Sequence, residues 1–66
     1  MIGIKFIKKY DLSVKFYMEP EDTVYPMLIE ITGILINGKE IALALEEIII
    51  KELGDYFIEE IKRRMG

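Results

Sequence analysis

Sixty-six residues, 52% of them apolar or aromatic and 32% charged, with a formal net charge of −3, make one small folded domain and exclude a disordered chain. Cysteine and histidine are both absent, which excludes disulfides, thiol redox chemistry and the usual zinc ligand sets. A single core of this size rarely yields more than roughly 3–5 kcal/mol, so the expected staple is a second chain, in a homodimer or a complex with a protein partner.

Residues 2–18 alternate. Ile2, Ile4, Phe6, Tyr10, Leu12, Val14, Phe16 and Met18 fall on even positions, and only Lys8 breaks the series. The run is too long for one ordinary strand, so it predicts a hairpin. A three-residue loop at Lys9-Tyr10-Asp11 keeps the even residues on one face, with Phe6 opposite Val14, Ile4 opposite Phe16 and Ile2 opposite Met18. It places Lys8 at the turn, and Asp11 in the left-handed conformation such loops need. Lys5, Lys8 and Lys9 inside the pattern exclude a signal peptide. No run approaches the roughly 18 apolar residues of a membrane span. The cytoplasm is therefore the expected compartment, with no membrane partner.

Residues 19–26, EPEDTVYP, hold two prolines and three acidic residues and read as a solvated connector. Glu19, Glu21 and Asp22 lack the glycine and terminal glutamate of a calcium loop, so no metal site is assigned.

Residues 27–45 carry Asn37-Gly38 between apolar runs, the strongest short-range hairpin signal. Ile34, Ile36, Ile41, Leu43 and Leu45 would share one face, while Ile29 and Ile31 upstream have the opposite parity. The phase flips at Gly33, which predicts a β-bulge setting Ile31 opposite Leu43 and Ile29 opposite Leu45. A rival reading takes Asn37 and Glu40 as a capping box and starts a helix at Gly38 that runs to Leu53.

After Leu45 the period becomes helical. Leu45, Ile48, Ile49 and Leu53 form one stripe, and Phe57, Ile58, Ile61 and Met65 another. Either Gly54 ends a first helix and Asp55 caps a second, or one helix runs through and its distal stripe meets a second subunit. The fold class is thus α+β: a four-stranded antiparallel sheet from two hairpins, followed by helix (β-β-β-β-α), covering the even-residue face of the first hairpin.

The candidate protein interface consists of Ile7, Tyr17, Leu28 and Leu35 on the odd sheet face and Phe57, Ile58, Ile61 and Met65 on the distal helix, apolar residues ringed by charge. The alternative is a nucleic-acid surface from Lys5, Lys8, Lys9, Tyr10, Lys15 and Tyr17, extended by Lys62, Arg63 and Arg64, since a basic face with aromatics can track phosphates and stack bases. The acidic balance of the whole chain weighs against it. Glu46-Glu47 and Glu59-Glu60 are adjacent on a helix, so each pair diverges and forms no carboxylate dyad. With one serine, no glycine-rich phosphate loop and no thiol or imidazole, neither catalysis nor a cofactor is expected.

Overall fold

The computed structural model describes residues 1–20, 22–24 and 26–63. Strand β1 (Ile2–Ile7) leads through a 3-10 turn (Lys8–Tyr10) into β2 (Leu12–Glu19). Strand β3 (Leu28–Ile36), the short β4 (Lys39–Glu40) and helix α1 (Leu43–Arg63) follow. The strands form one antiparallel sheet in the order β1-β2-β3-β4, an up-and-down meander. The fold is α+β, with α1 packed on one face.

Turn chemistry fixes the two hairpins. Asn37 and Gly38 both have positive φ, 54° and 78°, as a type I′ turn requires, and Ile36 pairs with Lys39. In the first hairpin Asp11 takes the left-handed conformation and its N–H closes the turn on the Lys8 carbonyl at 3.3 Å. The loop there has four residues rather than three, because Ile7 pairs with Leu12 and Phe6 with Ser13. An even-length loop reverses parity. Gly3, Lys5 and Ile7 share the helix-covered face with Phe16, Val14 and Leu12, while Ile2, Ile4 and Phe6 turn outward. This corrects the expected register, and α1 covers the even residues of β2 but the odd residues of β1.

The bulge falls where the phase change requires it. Lys15 pairs with Gly33 and Phe16 with Ile31, leaving Thr32 as the extra residue on β3. Its partner, however, is β2 and not the return strand. That strand ends at Glu40, and the Ile41 N–H still reaches the Ile34 carbonyl at 3.2 Å. The expected continuation to Leu45 gives way to helix from Leu43, where Ala42, Ala44, Glu46 and Glu47 supply helix-forming residues. The helix does not begin at Gly38 either.

Helix α1 runs unbroken for 21 residues through Gly54. At about 100° per residue, Ile50, Gly54, Phe57 and Ile61 line one stripe, and this distal stripe docks on the sheet. Phe57 and Ile61 join Ile7, Leu12, Val14, Phe16, Met18 and Ile34 in the core, flanked by Ile49, Ile50, Leu53 and Tyr56. Three core residues expected at the interface, Ile7, Phe57 and Ile61, are therefore buried within the chain.

Gly54 is buried in mid-helix, and a Cβ there would meet only the Ile50 Cγ2, at an ordinary 3.5 Å. Gly54→Ala should therefore stabilise the fold by about 0.5–1 kcal/mol by removing backbone freedom from the unfolded chain. A rise in melting temperature of about 3–6 °C is expected; a fall would mean that the helix needs closer approach to the sheet than these contacts indicate.

Candidate interaction surface

The outer face of the sheet begins with an apolar row. Ile2, Ile4 and Phe6 are 78%, 63% and 55% exposed, side by side on edge strand β1. Alternation puts all three on one face. Sheet edges are ordinarily blunted by charge, proline or a bulge; here the one charge on β1, Lys5, lies on the helix side and leaves the outer row uninterrupted. Beside it runs a polar row on β2, where Tyr17 lies opposite Ile2, Lys15 opposite Ile4 and Ser13 opposite Phe6.

The polar row is internally engaged. Lys15 Nζ donates to Glu40 Oε1 at 2.6 Å, reaching from β2 across β3 to β4. Gly33 lies beneath the crossing, where a Cβ would make only ordinary contacts, 3.4 Å from the Lys15 Cδ and 3.7 Å from the Glu40 oxygen. The hydrogen bond from Lys15, then its charge, holds the Glu40 carboxyl below the usual carboxylate range. The Tyr17 hydroxyl donates to Glu19 Oε1 at 2.9 Å, and that bond, with the carboxylate's charge, raises the phenol above its usual value.

A second apolar region lies on the first half of α1. Leu43, Leu45 and Ile48 are 68%, 47% and 60% exposed. Leu43 lies on the stripe of Ile50 and Phe57 but is left uncovered, while Leu45 and Ile48 point away from the sheet. Glu46 ties this end down, its Oε2 accepting from the Ile34 N–H at 3.3 Å on the edge of β3 that the short β4 leaves open. The first half of the helix thus leaves apolar side chains on its solvent side, interspersed with the exposed Glu47, Lys51 and Glu52.

The expected interface residues are divided between surface and interior. Leu28 is exposed on the outer face, Tyr17, Leu35 and Ile58 are half-buried, and Met65 lies outside the described residues. The basic residues separate as well. Lys5 pairs with Val14 and so lies on the helix side, across the sheet from Lys15 and Tyr17. Lys9 Nζ stands 5.5 Å and 5.4 Å from the ring centroids of Tyr10 and Tyr56. Those rings meet edge to face at 5.7 Å, and Phe57 completes the cluster, so the first turn is pinned to the helix. Lys8 is exposed in that turn, Lys62 and Arg63 are exposed at the helix end, and Arg64 and Glu21 lie outside the described residues.

Sequence reasoning assigns Ile2, Ile4 and Phe6 to the core, and so misses a strongly exposed apolar row. Ile7 was the available signal. It is the lone aliphatic side chain between Lys5 and Lys9 on the odd positions, and a four-residue loop turns it inward.

Near the connector, Glu19, Pro26, Met27 and Leu28 line a shallow open depression. Among the described residues no group of acidic side chains is arranged to hold a metal ion, and no helix is long and apolar enough to cross a membrane. No protein-family model, curated protein or solved structure matches the chain.

Proposed function

We propose that this chain is a cytoplasmic, non-enzymatic protein-association module, acting as an obligate oligomer or as the accessory subunit of a larger assembly. The observation that carries the reading is the apolar surface left over after folding. Ile2, Ile4 and Phe6 on β1 and Leu43, Leu45 and Ile48 on α1 all stay exposed. The total surface, 5058 Å², exceeds the roughly 4,300 Å² of a compact monomer of its mass. The radius of gyration, 12.1 Å, likewise exceeds the ~11 Å of a compact domain of this length. Nucleic-acid binding is less well supported, because Lys15 is paired with Glu40, Lys9 lies against tyrosine rings and Lys5 is on the opposite face.

Light scattering at micromolar concentration tests the reading. The expected mass is a multiple of 7.7 kDa, or, for an accessory subunit, a mass reached only when a partner is added. A well-folded particle of 7.7 kDa that gives a cooperative melt independent of concentration and takes up no partner would overturn it.

A further inference from the structure

Resting on the association reading, we infer that the partner is a second copy of this chain and that the two join edge to edge through β1, antiparallel and in register about Ile4. The geometry of β1 supplies the reason. Met1 and Met18 exchange both backbone bonds, Met18 N–H to Met1 carbonyl at 2.7 Å and Met1 ammonium to Met18 carbonyl at 2.9 Å. In an antiparallel pair such bonded positions alternate. The odd residues of β1 therefore face β2, and the N–H and C=O groups of Ile2, Ile4 and Phe6 point to the open edge.

Those same residues carry the exposed apolar row. With Ile4 opposite its own copy, Ile2 lies opposite Phe6 of the second copy and Phe6 opposite Ile2. Each of these pairs exchanges both backbone bonds, so every outward group of Ile2, Ile4 and Phe6 is satisfied at once. On the outer face the two rows join into one continuous apolar ridge, a self-complementary patch of the kind a two-fold interface requires. On the helix side Lys5 faces Gly3 of the second copy. Sliding the strands by two residues so that Lys5 centres the axis would set two ammonium groups opposite each other, a destabilising arrangement. A slide by an odd number would face the apolar row of one copy with Gly3 and Lys5 of the other. The Ile4 register alone satisfies the backbone, the apolar row and the charges. It extends the sheet, keeps both helices on one face and covers an edge that carries a single charge, Lys5, on the helix side.

The test compares the unaltered chain with Ile4→Lys and Leu45→Lys by light scattering and concentration-dependent melting, with circular dichroism to confirm folding. The expected result is a dimer for the unaltered chain and for Leu45→Lys. Ile4→Lys, altered at an exposed position, should be a folded monomer with association weakened by about a hundredfold or more. A dimer that survives Ile4→Lys would overturn the β1 pairing and leave the association reading standing. A monomeric unaltered chain that acquires no partner would remove both. Should Ile4→Lys fail to fold, single-cysteine variants decide, since the chain has no native cysteine. In a redox buffer Ile4→Cys should cross-link across the axis, where Cα atoms lie about 5.5 Å apart. Ile2→Cys, offset from its copy by about 13 Å, should not. Equal cross-linking of the two, or none, would overturn the register.

Discussion

Phe57→Ala should leave the chain largely unfolded at 25 °C. Phe57 is fully buried and central to the core, and truncating a buried phenylalanine to alanine costs about 3–5 kcal/mol. That equals the whole stability a core of this size usually provides, roughly 3–5 kcal/mol. The substitution also removes the ring that Tyr10 meets edge to face at 6.4 Å, and with it part of the hold of the helix on the first turn. The check is a urea titration followed by far-ultraviolet circular dichroism at fixed protein concentration, because self-association adds a concentration-dependent term. Phe57→Leu, which keeps most of the volume, should remain folded with a lower midpoint. A Phe57→Ala protein retaining its native midpoint would show that the helix is not held to the sheet through this side chain.

Gly3→Ala should cost about 1–3 kcal/mol, the usual penalty for forcing extra volume into a packed site. The cause is specific. A Cβ on Gly3 would stand 2.6 Å from the Phe16 Cζ and 3.1 Å from each Cε, so the tip of that buried ring occupies the notch left by the missing side chain. Admitting the methyl therefore requires the ring to shift within the core it helps to form. Alanine is no worse than glycine as a strand residue, so backbone preference predicts no loss. Combining Gly3→Ala with Phe16→Leu should recover part of the cost, giving a favourable coupling in a double-mutant cycle. Strictly additive effects would mean that the contact with Phe16 is not what reserves this position for glycine.

What could be read from the sequence, and what could not, divides along the line between local chemistry and register. Asn37-Gly38 announces its turn because few residue pairs tolerate two positive φ angles in succession. Gly33 announces the bulge because Ile29 and Ile31 sit out of phase with Ile34 and Ile36. The first hairpin is different. Lys8, Lys9, Tyr10 and Asp11 are compatible with a loop of three or four residues, and one residue more inverts every side chain of β1. A local ambiguity in the turn therefore moved Ile2, Ile4 and Phe6 from expected core to observed surface, and moved Ile7 the other way. The end of β4 was obscured for a related reason. Ile41, Leu43 and Leu45 alternate as a strand would, but they also begin a helix rich in alanine and glutamate, and helix prevails once the chain passes Ala42. The distal helix stripe was legible as apolar. Whether it met a sheet or another subunit was not, because both bury the same residues.

The meander order has a consequence for how the molecule comes into being. Each strand lies next to the one made immediately before it, so the sheet can build up by short hops along the chain, each closing a small loop at little entropic cost. The exception is the return of the helix to the first turn, where Tyr56 and Phe57 meet Tyr10 across most of the polypeptide. Until that distant encounter is made, the greasy underside of the nascent sheet faces water.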